Sequence, residues 1–203
     1  FDPARFGLIE APKIDGRLAF VTSSRGGWEG TPPRYSGLHL RGRRVVLEYQ
    51  VDSRRVLDSP WLEIQEGMSV FARSIELSPS ARETRLVLAN DDGNGMTSTL
   101  VSGSVVVDRG TNVTAMRVLG KGARLNEANG QWSVGFPAHD GPVLAKILSW
   151  TGDRAELSNF QKWADRVAEP ESLSPGLEPG PARWLPELIT AGQRALDTDF
   201  LAV

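Results

Sequence analysis

Residues 35–57 read YSGLHLRGRRVVLEYQVDSRRVL. Leu38 and Leu40 alternate with polar neighbours, and after Arg41-Gly42 the series Val45, Leu47, Tyr49, Val51 alternates with Val46, Glu48 and Gln50. β-Branched and aromatic residues at every second position suit a strand that buries one face. A helix would instead bring them back at intervals of three and four. The breaks at Arg41-Gly42-Arg43 and Val51-Asp52-Ser53-Arg54 carry the Gly, Asp and Ser that tight turns favour. The segment therefore predicts two successive hairpins of an antiparallel meander.

The same pattern continues toward the C-terminus. Trp61 to Ile64, MSVFARSIEL (68–77), TRLVLA (84–89), LVSGSVVVDRG (100–110), TAMRVLG (114–120), ARLNEANGQWSVGF (123–136) and PVLAKILSW (142–150) are short β-type runs. Turn residues separate them, and Asn129-Gly130 is the clearest hairpin signal of the set. Toward the N-terminus, RLAFVT (17–22) reads as a strand and SSRGGWEGTPPR (23–34) as a long loop that carries Trp28. Short strands at intervals of about 8 to 12 residues predict an all-β fold, an antiparallel β-sandwich over residues 1–152.

From residue 153 the period changes. Leu157, Phe160, Trp163, Ala164 and Val167 recur at three and four, predicting a packing helix over 153–169 with Ser158 as its cap. Five prolines between 170 and 186 then interrupt any regular structure. Residues 170–203 thus read as a Pro-rich exit linker to a following domain, and LDTDFLAV (196–203) as a strand opening that domain.

Composition narrows the chemistry. A net charge of -2 and a pI near 5.8 give no field to gather phosphates or anionic lipid, so nucleic acid is not an expected partner. No apolar run is long enough to span a bilayer. The chain has no cysteine, which removes disulfides, thiolate metal sites and thioether-bound haem from its own repertoire. His39 and His139 stand a hundred positions apart without metal-ligand rhythm, and no metal site is expected. The chain opens on Phe1, and the expectation is a processed or excised piece whose signal peptide lies elsewhere.

Several residues are candidates for a site. Aromatic rings in shallow grooves commonly hold sugars, and of the tryptophans in the β-rich region Trp61, Trp150 and Trp163 read as core. Trp28 in its glycine-rich loop, Trp132, and His139 in the PAHDGP turn are left as the ligand-binding candidates. His139 beside Asp140 could form a base with its orienting carboxylate, but neighbours on extended backbone point to opposite sides. His39 falls on the solvated side of its strand. NDDGNG (90–95) alternates oxygen ligands as calcium loops do, but Val101 stands where the helix-loop-helix motif needs Glu, so a hairpin turn is the better reading. Asn112-Val113-Thr114 fits the glycosylation triplet. Glu48, Asp52, Asp58, Glu63 and Glu76 sit on or near strands; a facing pair among them would make a standalone carbohydrate-active enzyme of glycoside hydrolase type.

Two stretches carry a family resemblance. PPRYSGLHLRGRRVVLEYQVDSRRVLDSP (32–60) resembles the Y-x-G-L-Y-x-H-G-D-x-V-V-L-S-Y-x-V-G-x-x-x-V-L-E block of large secreted proteins of planctomycetes and verrucomicrobia. EPGPARWLPELITAGQRALDTDFLAV (178–203) is similar to the G-G-P-A-R-W-P-E-x-x-x-T-x-G linker of the same proteins. That family comprises membrane-bound, sorbosone- or glucose-type dehydrogenases, with a β-rich N-terminal domain, a six-bladed propeller and a c-type haem domain. The family's Tyr and His-Gly-Asp are replaced here by His39 and Arg41-Gly42-Arg43. The resemblance implies a non-catalytic docking domain of a periplasmic or extracellular oxidoreductase. Haem c or a quinone would then reside downstream or in a partner, with a propeller dehydrogenase, a c-type cytochrome and carbohydrate as partners. A purely structural interaction domain is the third reading.

Overall fold

The computed structural model describes residues 27–30, 32–41, 44–65, 67–90, 97–108 and 110–174. Among them are eleven strands: β1 (Arg34–Arg41), β2 (Arg44–Val51), β3 (Arg54–Gln65), β4 (Met68–Leu77), β5 (Thr84–Asn90), β6 (Thr97–Val101), β7 (Ser104–Asp108), β8 (Asn112–Leu119), β9 (Arg124–Ala128), β10 (Gln131–Phe136) and β11 (Val143–Asp153). A single 3-10 turn (Arg154–Glu156) leads into helix α1 (Leu157–Ala164). The expected strand at 17–22, residues 23–26 and 31 of the Trp28 loop, and the linker beyond residue 174 lie outside the described residues.

Eight strands form one antiparallel sheet in the order β1-β2-β3-β4-β11-β8-β7-β6, and three form a second, β5-β10-β9. The meander expected from residues 35–57 is present, with Leu38 opposite Leu47 and Tyr49 opposite Val56. Its second turn places Asp52 at φ 50° and Ser53 at φ 68°. Positive φ at both central positions is the hairpin geometry that follows the right-handed strand twist. Asn129-Gly130 does the same between β9 and β10 (φ 53° and 75°), as does Ser102-Gly103 between β6 and β7 (φ 49° and 75°). Ser102-Gly103 splits what reads in sequence as one run. NDDGNG beyond Asn90 lies outside the described residues; β5 and β6, which flank it, belong to different sheets and do not pair with each other.

The small sheet covers part of one face of the large one. Tyr49, Val51, Val56, Ile75, Leu77, Val105, Val107, Met116, Ala145 and Ile147 of the large sheet meet Leu86, Leu88, Trp132, Val134 and Phe136 of the small sheet. This is a sandwich core, dry and drawn from both layers. Arg54 fastens the two sheets at one end. Its guanidinium is 3% exposed; Nε donates to the Ser78 carbonyl at 2.8 Å, Nη1 donates to the Thr84 hydroxyl at 2.9 Å, and Nη2 meets His139 Nε2.

The opposite face of the large sheet carries α1. Val70, Ala72, Val106, Val113, Ala115, Leu148 and Trp150 pack against Phe160, Trp163 and Ala164, with Leu157 and Val167 at the margin. The stripe read from the sequence is therefore the one that packs, but the helix is shorter than 153–169. Its cap is also different: Glu156 precedes α1 without a side-chain cap bond, Asp153 caps the 3-10 turn by accepting from the Ala155 N–H at 2.8 Å, and Ser158 lies inside the helix. Beyond α1 the chain crosses back over the sheet. Leu173 plugs a small cluster with Val46 and Leu57, and the Glu76 carboxylate accepts from the Ser172 hydroxyl (2.8 Å) and the N–H groups of Leu173 (2.6 Å) and Ser174 (3.1 Å). Residues 172–174 thus form a strap held by one buried acid.

Candidate functional site

The structure buries Trp28 and Trp132 in the sandwich core and leaves His139 half-buried. Trp28 is 2% exposed. It does not sit free in a loop: the Gly27 carbonyl accepts from Val87 N–H, Glu29 N–H donates to the Arg85 carbonyl, and Trp28 bridges to Leu86 on the edge of the small sheet. Its indole packs edge-on against Tyr49 and tilted against Phe136, and Nε1 donates to Tyr49 Oη at 3.1 Å. Trp132 is also buried and donates from Nε1 to Ser98 Oγ at 2.9 Å. His139 is half-buried with both ring nitrogens engaged. Arginine has only donors, so Nε2 accepts from Arg54 and Nδ1 donates to the Gly141 carbonyl.

The five carboxylates do not all converge. Strand register puts Asp58 on the face toward the small sheet and Glu48, Glu63 and Glu76 on the helix face, so the sheet separates Asp58 from the other three, while Glu48 and Glu76 both act on Arg55. Each has its own partner. Asp58 is bound by Arg73 and accepts from Tyr49 Oη at 2.8 Å. Burial first, then the negative charge of Asp58, pushes the Tyr49 phenol well above its ordinary value. Glu63 pairs with Lys146 at 2.7 Å. Glu48 takes a two-pronged contact from Arg55 (2.8 and 2.9 Å) and bonds His39 at 2.8 Å. The Arg55 hydrogen bond, with help from His39 and against partial burial, holds the Glu48 carboxyl near pKa 2. His39 is thus tied to a carboxylate, not loose on a solvated face. Among the described residues no group of His, Asp and Glu is arranged to hold a metal ion.

Besides a cleft of about 440 Å3 between β4, β11 and α1, lined by Met68, Trp150 and Trp163, two surfaces stand out, one on each side of the large sheet. The first is an apolar terrace that no described element packs against. Leu38 and Leu40 on β1, Leu62 and Ile64 on β3, and Phe71 on β4 share the face of Tyr49 and Ile75, beyond the edge of the small sheet. A bulge between Tyr35 and Gly37 keeps Tyr35 on that same face. These six side chains are between 44% (Phe71) and 74% (Leu40) exposed.

The second surface is a groove of about 440 Å3 between β1–β3 and the strap, lined by Arg41, Arg44, Val46, Ser59, Trp61, Glu171 and Leu173. The Arg44 guanidinium lies over the Trp61 ring, 5.3 Å from its centroid. Arg41 donates from Nη1 to the Ser172 carbonyl at 3.0 Å, which ties the groove wall to the strap. Trp61 is half-buried, whereas Trp150 and Trp163 are buried and stacked against Phe160. Two of the three tryptophans expected in the core are buried there, although both also line a cleft beside α1, and Trp61 is half-buried in the groove beside the strap. Its sequence signal was Pro60-Trp61 near one end of a strand.

No family model matches the chain, and no curated protein matches it. Among solved structures it is similar to "Heparinase III-BT4657 gene product", with 12% sequence identity and a TM-score of 0.39 over 62% of this chain. The matched part spans 22% of that protein.

Proposed function

We propose that the chain is a non-catalytic accessory domain that docks, through its apolar terrace, on a propeller-type sugar dehydrogenase of the periplasm or cell exterior. The observation that carries this reading is the terrace itself. Apolar side chains scattered singly over a surface are ordinary, but a contiguous row on one sheet face marks an interaction surface. The resemblance over 32–60 and 178–203 names the occupant: a propeller with a c-type haem domain. Haem c or a quinone belongs to that partner in this reading, since this chain has no cysteine for thioether attachment.

The test immobilises the chain and exposes it to a periplasmic extract, comparing wild type with the double variant Ile64→Asp/Phe71→Asp. The expected result is capture of a protein that stains for haem and oxidises sugar with a dye acceptor, lost in the double variant while its circular dichroism is unchanged. A captured protein lacking haem and sugar oxidation, or capture indifferent to the two substitutions, refutes docking by this face.

A further inference from the structure

We infer that the groove between β1–β3 and the strap binds an anionic saccharide, a pyranose bearing a carboxylate or sulfate. The site lies on the opposite face of the large sheet from the terrace, so it is independent of docking there. Three features converge on it. Arg41 and Arg44 both line the groove, and no carboxylate among the described residues pairs with either. Arg44 is braced by its stack on Trp61, and Arg41 by a bond from Nη1 to the Ser172 carbonyl. Guanidinium forks held in this way suit the planar, two-oxygen geometry of a carboxylate or sulfate.

The third feature is the indole. Trp61 with Val46 and Leu173 gives the groove an apolar wall for the C–H face of a sugar ring, while the anionic substituent reaches the guanidinium groups. Glu171 also lines the groove, so its net charge is one positive unit from two Arg against one Glu. A neutral sugar leaves the two guanidinium groups without an anionic partner. The groove's volume of about 440 Å3 falls in the range of small-ligand sites. An acidic peptide fits less well. Extended peptides gain affinity by adding to a strand edge, whereas the lining of this groove is side chains on the sheet face, with Arg41 the one residue drawn from edge strand β1. A saccharide brings its own hydroxyl groups and needs no edge.

The experiment is calorimetric titration of the whole chain with oligogalacturonate, dextran sulfate, a neutral mannan oligomer and polyglutamate. The proposal expects binding to one or both anionic saccharides, weakened by added salt, with the mannan silent; the stronger of the two identifies carboxylate or sulfate. Arg44→Ala and Arg41→Ala should each weaken binding about tenfold or more, as loss of a charge-assisted hydrogen bond does. Arg44→Lys, which keeps charge but not the fork, controls for folding and should restore only part of the affinity. Polyglutamate binding as tightly as the saccharides, no binding of either anionic saccharide, or affinity indifferent to Arg41 and Arg44 overturns the proposal. The terrace variant Ile64→Asp/Phe71→Asp should bind as wild type does, which separates a failure here from a failure of docking.

Discussion

Arg73 on β4 grips Asp58 on β3: its Nε donates to both carboxylate oxygens, at 3.0 and 2.9 Å, and its Nη2 to one of them at 2.5 Å. The pair closes a chain that runs from Trp28 Nε1 through Tyr49 Oη to the carboxylate, so every polar atom of this buried network is satisfied. Burial alone would lower the Arg73 pKa, but Asp58 prevails and holds it above its ordinary value.

Removing one partner should therefore cost far more than removing both. Asp58→Asn leaves Arg73 without its counter-charge and should lower stability by about 3 kcal/mol in urea unfolding. The double variant Asp58→Asn/Arg73→Met should be more stable than the sum of the two single losses predicts. Strict additivity would mean that the pair is not coupled.

The helix face gives a second expectation. Phe160 is fully buried between Trp150 and Trp163, with centroids 5.6 and 6.4 Å away. Phe160→Ala should cost about 3 to 5 kcal/mol, the ordinary range for truncating a buried aromatic. Near-ultraviolet circular dichroism should report the loss of the tryptophan stack before the strands unfold.

Acid should weaken the fold through carboxylates held below their ordinary range. Glu48 titrates near 2 when folded, against an ordinary 4.5. Its contribution is complete above 4.5 and is lost as pH falls from there toward 2. Glu76 moves in the same direction: burial pushes it up, but the bonds from Ser174, Ser172 and Leu173 outweigh that and hold it down. Unfolding free energy should decline below pH 4.5, and Glu48→Gln should flatten that decline. A Glu48→Gln profile parallel to wild type would count against it.

The terrace makes an opposite prediction. Leu40→Lys and Ile64→Lys replace side chains 74% and 69% exposed, so stability should change by no more than about 0.5 kcal/mol. Binding of the fluorescent probe ANS should fall with each. A loss of several kcal/mol would show that these residues are packed, not open.

Much of the fold is readable in the sequence because strand periodicity and turn chemistry are local. Leu47, Tyr49 and Val51 alternate for the reason they do in any half-buried strand, and Asn129-Gly130 announces its hairpin. The positions of side chains relative to distant elements are not local. Trp28 reads as exposed because its neighbours are glycines, yet three residues around it pair with β5, nearly sixty positions on. Trp61 reads as core because it lies in an apolar strand, yet Leu173 of the strap packs on Val46 and Leu57, and the indole lines the groove beside them. The Asp58–Arg73 pair needs the β3–β4 register, which alternation alone leaves open.

The central position of β11 has a consequence for how the molecule is made. β1–β4 and β6–β8 are two separate meanders, and β11 joins them by pairing with β4 on one side and β8 on the other. Until residues 143–153 have been synthesised, both meanders expose a bare inner margin, and Leu77 must wait for Val143 to close it. Nascent or prematurely cut chains that end before this strand therefore carry two adhesive borders at once, and aggregation, more than slow catalysis or weak binding, is the hazard that such shortened species face.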